Sequence, residues 1–514
     1  MVSIHTAVLS GTILVLTFLV SRFRKRRTLP YPPSLPGLPL LGNYLSLPTQ
    51  RPWATYAQWS KALQSDLISI NVFGQVMVVI NSKKVARELL DNRSAKYSDR
   101  PQLVMIGLTG FDFHTGLMPY SDKWRAKRRL LHETLHGSAA LAYRPLQKAK
   151  THELLRKLHH DPSGFMHHIR SLAASVAMTV SYGDLGDERQ NERSLLAAQG
   201  ATEMISEVLI PGAFAVDTLP FLRHLPGWLP GMGFKALAQI CTKRISEMKD
   251  LPWAIVKQNM DAHVASPSMA SKMLERIRET SAGPDAEEIA KDACAVTYIA
   301  GADTSVSAMT TAVLALLLHP EIQHRAQKEI DGVVGRHRLP TYEDRGRLPY
   351  VEAIYREVLR WNPVFPLSVA HAAFEDDVYS GYFIPKGTPI LPNVWAMTHD
   401  PVEYPEPESF KPERFLTPEG KVNGDDMQVM FGFGRRVCSG QHLADATVWM
   451  MIASTLALFR LVAAKDEDGN EITAKVEYTD GLVSHPRPFD CMFEPRNREA
   501  EMLLAQLHDA ESIE

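Results

Sequence analysis

The chain has 514 residues, 45% hydrophobic and 22% charged, with a formal net charge of -2 at neutral pH. Such a composition can bury a large core and excludes a disordered chain, and the absence of a basic excess argues against nucleic-acid binding. The four cysteines, Cys241, Cys294, Cys438 and Cys491, are too dispersed for a zinc or iron–sulfur cluster and do not form a disulfide framework, so each is read singly.

In chain order, the first feature is the nearly uncharged run from Ile4 to Val20. As a helix it reaches about 25 Å, slightly short of the ~30 Å hydrocarbon core. Arg22, Arg24, Lys25, Arg26 and Arg27 follow this run instead of preceding it. That order is the reverse of a cleaved signal peptide, and it keeps the body of the protein on the cytosolic side. We read residues 1–21 as a signal-anchor transmembrane helix, 22–37 as a basic and proline-rich hinge, and 38–514 as one domain. In Leu29-Pro30-Tyr31-Pro32-Pro33-Ser34-Leu35-Pro36-Gly37 the prolines fix φ and remove donors, which predicts a stiff non-helical spacer.

Helical patterning dominates the body. Val85 to Leu90, Lys123 to His136, His152 to His160, Leu172 to Ser181 and Glu321 to Val334 carry apolar residues at three-and-four spacing. Leu67 to Phe73 and Val76 to Ile80 flank Gly74 and Gln75 and predict a hairpin, and Val378 to Ile384 predicts one more strand. The fold class is therefore mainly α with a small β portion. Ala265–Ser271 and Ser281–Pro284 are too short for linkers and read as loops. Leu219 to Leu229, with Phe221, Leu225 and Trp228 among prolines, reads either as a loop that dips into a bilayer or as core packing.

The longest predicted helix starts at Pro284 and Asp285, has Glu287 and Glu288 in its first turn as the helix dipole favours, and stops before His319-Pro320. Between Ala293 and Leu318 its only charged residue is Asp303. A helix apolar on nearly all sides is buried, so Asp303 is a carboxylate where carboxylates are costly. Either it works as an acid or it is bound to a distant arginine.

Near the carboxyl end stands Phe431-Gly432-Phe433-Gly434-Arg435-Arg436-Val437-Cys438-Ser439-Gly440, ahead of a helical pattern from Leu443 to Phe459. Such glycines permit tight turns, close approach to a flat partner and backbone amides aimed at a sulfur. A lone cysteine among glycines is often structural, but FxxGxRxCxG is met here at every fixed position. On these residues the chain resembles the cytochrome P-450 family. Further motifs occur around the loop: Trp124-Arg125-Ala126-Lys127-Arg128 is similar to WxxxR, Ala300-Gly301-Ala302-Asp303-Thr304-Ser305 to (A/G)Gx(D/E)T(T/S), Glu357-Val358-Leu359-Arg360 to ExxR, and Pro412-Glu413-Arg414-Phe415 to PERF.

The resemblance implies a haem-thiolate monooxygenase with haem b as cofactor and Cys438 as the metal ligand. It assigns Asp303 and Thr304 to proton delivery, and Trp124, Arg128, His371 and Arg436 to cofactor binding. Glu357, Arg360 and Arg414 become scaffold. A lipophilic small molecule and O2 are the implied substrates, with walls from Pro101 to Tyr120, Met204 to Phe214, Tyr298 and Ala302, Val364 to Val369, and Leu482 and Val483. An NADPH-dependent cytochrome P-450 reductase is the implied partner, docking on Lys123, Lys127, Arg129 and Arg435. With the anchor, the expected place is the endoplasmic-reticulum membrane, single-pass, catalytic domain facing the cytosol. The His371-Ala372-Ala373 run and the Ser484-His485-Pro486 and Pro488-Phe489 segments look most like fungal enzymes of secondary metabolism, which points to a terpenoid or polycyclic substrate. Two other functions share these features: a same-fold isomerase or dehydratase without net oxygenation, and a membrane-tethered haem protein that does no chemistry.

Overall fold

The computed structural model describes residues 29–186, 193–194, 196–197, 200–201, 204, 208 and 214–511. The expected anchor at residues 1–21 and the basic part of the hinge lie outside the described residues. Leu29–Gly37 carry no helix or strand, as the prolines predict. This segment is not a free spacer. The Pro33 carbonyl accepts from Ser69 N at 2.8 Å, the Pro32 carbonyl from Ser69 Oγ at 2.6 Å, and the Pro30 carbonyl from Phe383 N at 2.7 Å. A proline lacks its donor but keeps its acceptor, and here the acceptors dock the segment on the small sheets.

The hairpin strands β1 (Leu67–Val72) and β2 (Gln75–Ile80) pair antiparallel. Val72 faces Gln75, so the turn residues are Phe73 and Gly74, both at positive φ, one position earlier than the predicted Gly74-Gln75. The sheet continues to β3 (His371–Ala372) and β6 (Pro389–Pro392) in the order β1-β2-β6-β3. The single strand expected over Val378–Ile384 is instead two, β4 (Asp377–Tyr379) and β5 (Tyr382–Ile384), folded back on each other. Ser380 and Gly381 both take positive φ there, a two-residue hairpin that apolar spacing alone does not reveal.

The helices that shape the site are α1 (Asp122–Leu135), α2 (Arg144–His160), α3 (Phe165–Tyr182), α4 (Phe234–Asp261), α5 (Pro284–Leu318), α6 (Pro349–Trp361), α7 (Gln441–Leu458) and α8 (Arg498–Glu511). Both ends of α5 are where its prolines, first-turn acids and His319-Pro320 put them. Among the described residues it alone is long and apolar enough to cross a membrane, but 83% of its apolar window is inside the protein, which makes it the core helix. Its most extensive partner is α3. Gly301 explains how closely the two approach: a Cβ there would come within 2.9 Å of the Ala177 Cβ. Close packing of the two helices thus requires a small residue at this position.

Two helices begin earlier than their apolar period suggests. α2 starts at Arg144 instead of His152, its first two turns being largely polar, and α3 starts at Phe165 instead of Leu172. Ala265–Ser271 is only partly loop, since Ser268 caps the helix Met269–Thr280 by accepting from Ser271 N at 3.1 Å.

Candidate active site

Between α5 and the cysteine loop lies a cavity lined on one side by Val296, Thr297, Ala300, Gly301, Thr304 and Ser305 and on the other by Phe431, Gly432, Cys438 and Gly440. The loop owes its shape to a close crossing. Gly434 sits at φ +51°, and any Cβ there would come within 2.1 Å of the Leu90 carbonyl oxygen. Its amide donates to Asp91 Oδ1 at 2.6 Å, while Cys438 N donates to the Phe431 carbonyl at 2.7 Å. These bonds leave the Cys438 side chain exposed, but to the cavity and not to bulk solvent. Burial pushes the thiol up, and a hydrogen bond from the Gly440 backbone and the charge of Arg128 act in the opposite direction. Both of these favour the thiolate, the form that binds metal.

Behind the loop, Glu357 and Arg360 on α6 are completely buried. Arg360 makes a forked pair to Glu357 at 2.7 and 2.9 Å and donates to the carbonyls of Thr398, Pro407 and Ser409. Arg414 adds a second cation at 3.2 Å, and Lys411 N a further donor at 2.7 Å. The pair is therefore not a solvated helix-face contact but a sealed cluster under the cysteine loop.

One rim of the cavity is cationic. Arg436 donates to the carbonyls of Ser98, Thr115 and Met118 at 2.7, 3.0 and 3.0 Å. Arg100 donates to those of Gly116, Val369 and Ala370 at 2.7, 2.8 and 2.7 Å. Arg128 reaches the Val437 carbonyl. Among the described residues none of the three has a carboxylate within ion-pair distance, and Asp99 acts on Arg100 and Arg436 only at longer range. Burial pulls Arg100 well down and Arg436 to about 10, which is the mark of buried cations short of negative charge.

His371 also lines the cavity. Its Nδ1 donates to the Tyr97 carbonyl at 2.8 Å, and burial together with Arg100 holds its pKa well below the usual histidine value. Trp124 lines the cavity too, but its indole N–H donates to the Thr115 carbonyl at 3.0 Å, and its ring lies 4.5 Å under the Arg436 guanidinium. The ring thus packs against Arg436 at the cavity rim. Arg100, just outside the expected Pro101 to Tyr120 wall, and His114, inside that wall but given no role from the sequence, line the cavity as well. Neither lies in a periodic pattern, and Arg100 is brought in by carbonyls far along the chain.

On the opposite wall, Thr304 Oγ1 donates to the Ala300 carbonyl at 2.8 Å, the back-bond expected of a helical threonine. Asp303 does not line the cavity. Its Oδ1 lies 3.6 Å from Arg170 of α3 and its Oδ2 lies 3.2 Å from His485 Nε2. Of the two alternatives posed by the sequence, the contact to a distant arginine is the one seen, and it lies one position away from the cavity threonine. Tyr298, Ala302, Leu482 and Val483 are not cavity residues, whereas Val364, Phe365, Ser368 and Val369 are. Most of Met204–Phe214 lies outside the described residues.

Lys127 corrects the docking expectation. It is fully buried on α1, with Nζ 2.5 Å from Asp292 Oδ2 of α5 and 3.0 Å from the Phe113 carbonyl. Lys249 of α4 reaches the same carboxylate at 2.5 Å. Lys127 ties helices together and cannot face a partner, while Lys123, Arg129 and Arg435 remain exposed.

The cytochrome P-450 family model matches residues 32–493. The chain belongs to the cytochrome P-450 family. It is 39% identical over 500 residues to cytochrome P-450 monooxygenase 208 of Postia placenta, covering 97% of this chain and 96% of that one. It is 40% identical over 500 residues to cytochrome P-450 monooxygenase claR of Ampulloclitocybe clavipes, covering 97% and 92%. Cytochrome P-450 monooxygenase 98 of Postia placenta is 38% identical over 515 residues, covering 99% and 98%. The chain is thus an oxidoreductase of the monooxygenase class, and membership implies a haem iron. The cavity fits that group: a thiol at its floor, apolar walls, and buried arginines at the rim that lack the negative charge which propionates would bring.

Proposed function

We propose that Cys438 holds a haem b and that the enzyme inserts one atom of O2 into a lipophilic small molecule, by hydroxylation or epoxidation, in fungal secondary metabolism. The observation that carries this reading is the thiol opening on an apolar cavity whose rim holds Arg100, Arg128 and Arg436 without a carboxylate partner. When bound, the haem supplies the oxygen-activating iron, with a thiolate ligand that favours O–O cleavage. The Gly440 amide steadies the sulfur, and Arg100, Arg128, Arg436 and His371 hold the propionates. Thr304 Oγ1 leaves the Ala300 carbonyl to pass a proton into the cavity, and Asp303 supplies it. The apolar walls exclude water and select an uncharged, lipophilic substrate, with a terpenoid or polycyclic compound as the chemistry to try first.

Electrons come from a separate NADPH-dependent reductase at Lys123, Arg129 and Arg435. The domain spans residues 38–514, behind the hinge at 22–37 and the anchor at 1–21, with the catalytic body on the cytosolic side of the endoplasmic reticulum. Leu219, Phe221 and Trp228 support a second membrane contact, being 46%, 58% and 81% exposed in one loop. Removal of residues 1–27 is expected to leave a haem-binding protein that partitions less completely into membranes, as fractionation would read. The deciding test is Cys438→Ser, because a hydroxyl supplies neither the charge nor the soft donor. The thiolate-type Soret band of the ferrous carbonyl complex is expected to vanish, and its retention would refute the ligand assignment. Turnover under labelled O2 with reductase should place one labelled atom in the product; none in the product would refute the oxygenation.

A further inference from the structure

We infer that His485 is the proton donor to Asp303, and that protonation by this histidine releases the acid from its ion pair so that it can serve the cavity. The inference rests on the reading of Asp303 as the acid. Its starting point is a geometric difficulty: the Asp303 carboxylate does not line the cavity and is held on the other side of α5 by Arg170 and His485. The two partners are chemically unequal. A guanidinium does not release its proton in a protein, whereas imidazole exchanges protons across the physiological range. Of the two, only His485 can supply a proton.

The position of His485 suits that task. Its backbone is clamped, with N donating to Thr479 Oγ1 at 3.0 Å and its carbonyl accepting from Thr479 N at 2.9 Å. The preceding Ser484 is fastened to α5 itself, because Ser307 Oγ donates to its carbonyl at 2.5 Å, and Ser484 N donates to the Val364 carbonyl at 2.9 Å. The ring is therefore fixed relative to the helix that bears Asp303. Side-chain exposure rises from 10% at Asp303 to 21% at His485, so the imidazole connects a buried carboxylate with solvent. The charged groups facing the ring are Asp303 of α5 and, across that carboxylate, Arg170 of α3.

In the step, the Nε2–H bond of the imidazolium breaks and an Oδ2–H bond forms on Asp303. The products are a neutral imidazole and a neutral acid, and water returns a proton to the ring. Neutralisation also removes the Coulomb attraction to Arg170, so the acid can turn toward Thr304, its neighbour on the helix. Arg170 holds the carboxylate in place until the proton arrives.

The test compares His485→Gln, Asp303→Asn and wild type as full-length haem-loaded enzyme with reductase and a confirmed substrate. Glutamine retains a hydrogen bond to Asp303 but cannot carry the proton. The expected result is NADPH-supported turnover lower by on the order of ten-fold, below the full range for general acids because water substitutes in part. The pH slope of turnover should disappear, and the solvent deuterium effect should rise. Substrate affinity from the binding spectrum should be unchanged, which a merely structural role would not leave so. Slow Asp303→Asn with His485→Gln at the wild-type rate and slope would overturn the relay and spare the acid. Asp303→Asn at the wild-type rate would overturn the acid itself, and with it the relay. Should His485→Gln fail to load haem, ring-nitrogen resonances of His485 decide the matter: a protonated Nε2 that responds to Asp303→Asn is expected, and identical spectra overturn the inference.

Discussion

Two ion clusters flank the cavity, each a carboxylate held by arginine, and they differ in how tightly they are closed. Under the cysteine loop, Glu357 and Arg360 are both fully buried, and Arg414 and Lys411 complete their coordination at ordinary hydrogen-bond distances. Beside α5, Asp303 has a long 3.6 Å contact to Arg170, whose side chain is 41% exposed, and a 3.2 Å contact to His485. A sealed and saturated cluster has no arrangement of similar energy to move into, so it acts as scaffold. A loosely coordinated one with a path to water can change its protonation state and its geometry. The physical difference is desolvation: breaking a buried pair costs about 3–5 kcal/mol, whereas a partly exposed pair is discounted to about 1 kcal/mol or less.

The largest expected effect breaks the sealed cluster. Glu357→Ala leaves Arg360 buried without its counter-charge and should destabilise the protein by about 3–5 kcal/mol. Haem incorporation should fail and the denaturant midpoint should drop; a normal midpoint would show that the cluster is not the scaffold described.

Thr304→Ala comes next and sharpens the distal half of the contrast. Losing one hydrogen bond of about 1–3 kcal/mol corresponds to roughly a five- to hundred-fold change in partitioning between product and hydrogen peroxide. NADPH use should continue while product falls, measured as product and peroxide per NADPH. Asp303→Asn should instead slow the whole cycle with less change in that ratio. Unchanged coupling in Thr304→Ala would reduce this threonine to a packing residue.

A smaller effect follows from buried histidines. Burial, reinforced by Arg360, lowers His399 to about 3, and burial with nearby cations lowers His152 and His114 to about 4. In the unfolded chain each binds a proton below about pH 6.5, so there the unfolded state holds more protons. The stability they confer is complete above that pH and is lost as the pH falls toward the folded values. Thermal unfolding should therefore move to lower temperature between pH 7 and pH 5. A flat profile would mean that these rings are hydrated.

The smallest effect is at the surface. Arg129→Glu should raise the reductase concentration needed for half-maximal rate, more at low salt than at high, because exposed charges are screened beyond about 10 Å at 0.1 M. Salt-independent kinetics would remove this face as the docking site.

What the sequence by itself determined was whatever is written within a few residues: the ends of Pro284–Leu318, marked by prolines and first-turn acids, the glycines and arginine around Cys438, and the Glu357 to Arg360 spacing. Such features depend on local backbone preferences and on one helical or turn period, which no distant partner is needed to define. Only the tertiary structure decided which charges were buried and against what. Lys127 reads as one more cation on an amphipathic helix until α5 brings Asp292 to it. Arg100 becomes a cavity residue because the Val369 and Ala370 carbonyls fold over it, and Asp303 turns away from the cavity because α3 and the segment around His485 meet at its side of the helix. The physical reason is that the charge state and orientation of a buried group are set by desolvation and by neighbours in space, and chain order does not encode which elements will stack.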